Sequence, residues 1–180
     1  MKIKWFLLAA LTHASAAVAQ DQNISITEAA KLIGQAQGTL LIYAPTMQSP
    51  EITSGYRKAI GKMVTVTIIT SPQAVANPTA AERVMPVAFA GYESKNTTVY
   101  APTIKNLNDS VPFVVVDRKF ALAGINLVQV PLPGDAAQIK LIRTPATVNS
   151  LASWVIANAK ANTPVDLLKW FGRHIQRQAK

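Results

Sequence analysis

Few side chains in this 180-residue chain can do chemistry. The carboxylates are Asp21, Glu28, Glu51, Glu82, Glu93, Asp109, Asp117, Asp135 and Asp166. A glycosidase needs two facing carboxylates at a defined separation. Asp109 and Asp117 fall near one strand pair and are the candidates for it, but both stand where turns are expected, and Asp suits turns. The only histidines are His13 and His174. His13 falls in the N-terminal leader-like stretch and His174 in the basic tail, which disfavours a histidine-based triad, a His-rich zinc centre and a two-histidine phosphodiesterase site within one chain. The absence of cysteine removes thiol nucleophiles and thiolate metal sites. No Gly-rich phosphate loop and no G-x-S-x-G elbow occurs, so nucleotide cradling and serine hydrolysis have no motif to stand on.

The chain opens MKIKWFLLAALTHASAAVAQ. Lys2 and Lys4, a short apolar core and a small-x-small stretch before Gln20 predict a cleavable signal peptide over residues 1–19. Residues 20–180 are then one domain with a basic C-terminal tail, expected in the periplasm or outside the cell, and no later apolar run is long enough to span a bilayer. His13 leaves with the signal, and His174 is expected to be an exposed tail residue. Losing Lys2 and Lys4 lowers the net charge from +9 to +7. That surplus favours anionic partners such as nucleic acid, lipid head groups or wall polymers. The cations are scattered, clustering only at Arg57/Lys58/Lys62 and in KWFGRHIQRQAK. An exported chain without disulfides must be held by its core, and a 49% hydrophobic content allows it.

The elements that would carry these groups alternate. SITEAAKLIGQAQG reads as a capped helix stopping at Gly38, and TLLIYAP as a buried strand. SPEITSGYRKAIGK has Pro at the first helical position and basic residues at its end, and MVTVTIIT is a β-branched strand that Ser71-Pro72 closes. A helix is expected from Pro78, interrupted near Pro86, and NTTVYAP is a short strand. TIKNLND reads as polar loop and VQVPLPGDA as a proline-rich excursion. PFVVVD and KFALAGI form a strand pair turning at Asp117-Arg118. QIKLIRT is a strand, PATVNSLASWVIANAKAN a helix, and PVDLLKWFGRHIQRQ a last short helix. The order predicts an α/β fold, a mixed β-sheet flanked by helices on both faces.

This element order, with SVPFVVVDRKFALAG at its centre, resembles the phospholipase D superfamily, in particular its small single-motif branch of exported bacterial nucleases. The resemblance runs over almost the whole mature chain and implies one half-unit of the two-motif fold. The family motif is H-x-K-x-x-x-x-D, followed after a six-residue gap by G-S/T-x-N. With its Asp on Asp117, the glycine falls on Gly124, which matches. The His position is Ser110 and the Lys position is Pro112. The hydroxyl position is Ile125, and the Asn position is Leu127, with Asn126 one residue early.

The resemblance implies phosphoryl transfer through a histidine nucleophile, with lysines holding the phosphoryl charge and a homodimer bringing two motifs together. Ser110 with no base beside it is a poor nucleophile, and Pro112 carries neither charge nor N–H. Each missing role is worth about 100-fold or more, so the expectation is a degenerate enzyme with no cofactor and no metal. Its expected role is to bind an anionic ligand or a protein partner, with Arg118 and Lys119 as candidate ligand contacts. Two alternatives are an active periplasmic phosphodiesterase using relocated groups such as Asp109 and Asp117, and an accessory subunit of an envelope conjugation or secretion machine docking by its basic tail.

Overall fold

The computed structural model describes residues 21–103, 111–131 and 139–178. The signal segment, Asp109, Ser110, residues 104–108 of the polar loop and residues 132–138 of the proline-rich stretch lie outside them, as does the His174 side chain.

The strands are β1 (Gln22–Ile24), β2 (Thr39–Tyr43), β3 (Thr65–Ile69), β4 (Thr97–Tyr100), β5 (Phe113–Val116), β6 (Phe120–Ala123) and β7 (Ile139–Ile142). They form one sheet in the order β1-β7-β6-β5-β2-β3-β4. β2, β3 and β4 are parallel, while β5, β6, β7 and β1 join antiparallel. Parallel neighbours need crossovers, and helices supply them. They are α1 (Ile26–Gly34), α2 (Pro50–Ile60), α3 (Pro72–Ala76), α4 (Val84–Ala90), α5 (Pro145–Ala161) and α6 (Leu167–Gln178).

Strand faces alternate, so each strand feeds two cores. Leu40, Ile42, Ile68, Val114, Leu122 and Leu141 meet α1, α2, α4 and Leu167 of α6 on one face. Leu41, Tyr43, Ile69, Phe113, Val115 and Ile142 meet α5 on the other. There Trp154 packs edge-on against Tyr43 and Phe113, at 5.1 and 5.9 Å between ring centroids. Because β2 and β5 are buried on both sides, they read as continuous apolar runs. Each fully buried Leu, Ile or Val in these strands contributes roughly 1.5–3 kcal/mol.

The sheet flanked on both faces agrees with the sequence reading, while two helix boundaries change and two short elements, α3 and β1, are added. Helix α1 stops at Gly34, leaving residues 35–38 as a loop. Ser71-Pro72 opens α3, with Ser71 Oγ accepting the Ala74 N–H. The expected helix from Pro78 is instead α4, with Pro86 in its first turn, where the missing N–H costs no helical bond. Finally, β1 forms an edge strand on β7.

Helices α1 and α2 cross closely. A Cβ on Gly55 would stand 2.6 Å from the Ala30 carbonyl oxygen, so only glycine permits this approach. A Cβ on Gly34 would meet the Lys58 stem at 3.1 Å.

Candidate functional site

The motif positions divide between the two ends of β5. At one end Val116, Asp117, Arg118 and Lys119 make a hairpin turn closed by a 2.9 Å bond from the Lys119 N–H to the Val116 carbonyl. Asp117 and Arg118 have φ of 50° and 55°, the left-handed pair a tight hairpin turn requires. The sequence places Asp117 at a turn, and its carboxylate reaches beyond that turn. It accepts the N–H groups of Gly38 at 2.8 Å and Thr39 at 2.9 Å on Oδ1, and of Gln37 at 3.1 Å on Oδ2. These donors lie in the α1–β2 loop and at the first residue of β2, so Asp117 ties the hairpin to the strand beside it. Partial burial works to raise its pKa, but the Thr39, Gly38 and Gln37 N–H groups outweigh it, with Lys119 adding to them, and hold the carboxyl below its ordinary value.

At the other end Pro112 is buried just before β5, and its carbonyl accepts the Gly124 N–H at 2.9 Å. Gly124 has φ 150° and ψ 155°, a region essentially restricted to glycine. Asn126 is half-buried in the 3-10 turn Ile125–Leu127. The exposed side chains beside these residues are apolar, with Val111 at 59% and Ile125 at 51% exposure. A strand rise of about 3.3 Å per residue puts Pro112 about 16 Å from Asp117. The structure therefore brings Pro112, Gly124 and Asn126 together, and it places Asp117, Arg118 and Lys119 at the opposite end of the strands.

The sequence reading missed Glu82, which is buried near the motif end, at the loop leading into α4. Its Oε1 accepts the N–H groups of Met47, Arg83 and Val84 at 2.9, 2.9 and 3.0 Å, and its Oε2 accepts the Thr46 hydroxyl. With Thr46, Ser71, Pro45, Ala74 and Pro78 it lines a mainly apolar hollow of about 190 Å³. The only hint in the sequence was an acidic residue just ahead of an apolar helix. The carboxylate makes this hollow unfavourable to anions, and the guanidinium of neighbouring Arg83 is taken up by the Ala80 carbonyl at 2.7 Å. Among the described residues no group of three His, Cys, Asp or Glu side chains could hold a metal ion, and no helix is long and apolar enough to cross a membrane.

No protein-family model matches the chain, and no curated protein matches it. Solved structures do. Nuc, a phospholipase D family member from Salmonella typhimurium, is similar over 81% of this chain and 97% of its own, with a TM-score of 0.62 and 15% identity. NucT from Helicobacter pylori is similar over 81% of this chain and 99% of its own, with a TM-score of 0.59 and 10% identity. TrmBL2, an archaeal chromatin protein whose structure shows a novel mode of DNA binding, covers 84% of this chain with 57% of its own, at a TM-score of 0.54 and 11% identity. At these identities the likeness is one of backbone. What the chain has in common with Nuc and NucT, along nearly their whole length, is the fold, that of a phospholipase D family member.

Proposed function

We propose that this protein is an exported, non-catalytic domain of phospholipase D fold that binds an anionic ligand. The observation carrying this reading is Pro112. A buried, uncharged residue whose carbonyl is bonded to Gly124 stands at the position where the family motif has its lysine. No ammonium there can hold a phosphoryl group, and the neighbouring Val111 and Ile125 offer none. The other half of the motif, Asp117 and Gly124, keeps roles a scaffold needs: one ties a hairpin to β2 and the other takes a backbone conformation reserved for glycine. The net positive charge supplies the attraction to anions. A binding role is also consistent with the similar structure of TrmBL2, a chromatin protein that binds DNA.

Turnover of a small phosphodiester, bis(p-nitrophenyl) phosphate, tests the absence of chemistry. The expected outcome is hydrolysis indistinguishable from buffer at every pH between 5 and 9. Hydrolysis that co-purifies with the protein and disappears in Asp117→Asn would establish the relocated-chemistry alternative instead.

A further inference from the structure

Five cations share one end of the sheet. The strand register puts the residues before β2, β3 and β4, the β5–β6 turn and the residue after β7 at the same end. Lys62, Lys95, Arg118, Lys119 and Arg143 occupy those connections. The motif end, by contrast, presents the Glu82 hollow and exposed Val111 and Ile125.

Two open hollows lie side by side at this basic end. One, of about 320 Å³, runs between α1 and α2 and is lined by Lys31, Lys58 and Lys62. The other, of about 440 Å³, runs from Lys62 to Lys119 and Phe120 at the hairpin turn. Gln35 and Lys62 belong to both, so the two form one groove. The groove carries two carboxylates. Asp117 is taken up by three backbone N–H groups, and Glu51, near the start of α2, accepts the Thr27 hydroxyl. Among the described residues none of the four lysines has a carboxylate within 4 Å, the ion pair of that range being Lys140–Asp21.

Lysines near helix C-termini have a structural use, because they offset the helix dipole. Lys62 does this, donating to the Gly34 carbonyl at 2.7 Å. Two helix ends amount to about one negative charge in all, and the Asp117 and Glu51 carboxylates carry two more, so the four ammoniums around the groove leave a surplus of about one positive charge. Dipole compensation therefore explains part of the cluster and leaves a surplus.

We infer that this groove, at the end of the sheet opposite the motif residues, binds the phosphate backbone of a nucleic acid without reading its sequence. The inference rests on the anion-binding reading above and gives it a place and a ligand class. The groove is elongated and concave, which suits a linear polymer of phosphates better than a flat lipid surface. The four cations lining it are lysines, which meet phosphates as point charges and lack the planar fork that reads guanine, while the Arg143 guanidinium at the same end stands over the Phe120 ring at 5.9 Å. Phe120 is the one aromatic side chain lining it, so bases have no run of stacking platforms.

The test is fluorescence anisotropy of labelled 20-base-pair DNA duplexes of two unrelated sequences, titrated with the protein across a salt series. Both duplexes should bind alike, with log K falling against log salt at a slope of about −3 to −4. Lys58→Gln and Lys119→Gln should each reduce that slope by about 1, equally on both sequences. Neither residue makes the Gly34 bond, so this pair of variants separates binding from folding, and a thermal melt confirms it. Lys160→Gln, on α5, should leave binding unchanged. If DNA binds but the two groove variants match the wild type, the location is wrong and the anion-binding reading survives. If only vesicles containing phosphatidylglycerol bind, the ligand class is wrong. If neither DNA nor vesicles bind, both readings fall.

Discussion

Asp117 and Gly38, 79 positions apart in the chain, are joined by a 2.8 Å hydrogen bond from the Gly38 N–H to Asp117 Oδ1. That bond, with its two neighbours from Gln37 and Thr39, fixes the β5–β6 turn against the start of β2. It gives the Asp117 carboxylate a structural use.

Asp117→Ala should therefore act on stability. Hydrogen bonds to a charged group are worth about 1.5–3 kcal/mol net, and partial exposure of these donors places the loss toward the lower figure. Asp117→Asn should cost less, since Asn also tolerates left-handed backbone and its amide oxygen can accept. Urea denaturation measures both. An unchanged midpoint for Asp117→Ala would remove the structural role.

The same carboxylate should leave a signature in acid. Its folded pKa lies below the unfolded value, because the Thr39, Gly38 and Gln37 N–H groups overcome the opposing effect of burial. Its contribution is thus complete above the unfolded pKa of about 3.9 and is lost as pH falls through the folded value. The stability gap between wild type and Asp117→Asn should be constant from pH 5 to 7 and narrow below about pH 4. Asp21 is also depressed, by the Arg143 N–H above all and against slight desolvation, with help from Lys140 and Thr144. That effect is present in both proteins and cancels in the difference.

Gly55→Ala and Gly34→Ala should differ. In an exposed helix either change would gain up to about 1 kcal/mol from propensity. At Gly55 the new Cβ would meet the Ala30 carbonyl oxygen at 2.6 Å, and backbone cannot step aside, so the crossing of α1 and α2 must open. The expected loss is about 1–3 kcal/mol. At Gly34 the obstacle is the flexible Lys58 stem at 3.1 Å, and the change should be near neutral. Melting temperatures of the two variants decide this.

The C-terminal helix gives a fourth outcome. Trp170 donates its indole N–H to the Val75 carbonyl at 2.7 Å, and Phe171 stacks on Phe89 at 4.5 Å. These anchors precede residue 172, so deleting residues 172–180 should shift the melting temperature by only a few degrees. Trp170→Ala should cost about 2 kcal/mol or more, through lost packing and an unmatched carbonyl. If the basic tail docks a partner, the deletion removes capture from a protein that is still folded.

The sheet was legible in the sequence where burial on both faces forces continuous apolar runs, as in TLLIY and FVVV. β1 was not, because Gln22 and Asn23 are exposed on an edge strand of three residues and carry no apolar pattern. Pro86 read as a break because its place in the first turn of α4 depends on where that helix starts, and the Glu82 carboxylate beneath Val84 helps to set it. Asp117 could be placed at a turn, but its partners are 78 to 80 residues away and no local pattern announces them. The groove was equally hidden. Lys58 and Lys62 already cluster in the sequence, but Lys31 and Lys119 stand far from them along the chain, and the α1–α2 crossing with the sheet register brings all four to one end.

Supercoiled plasmid incubated with the protein and run on a native gel tests the central claim most directly, because it reads binding and cleavage in one lane. The account predicts plasmid retarded at low salt, released intact at high salt, and still supercoiled after overnight incubation. Nicked or linear product whose appearance follows the protein through purification and is lost in Asp117→Asn would contradict it.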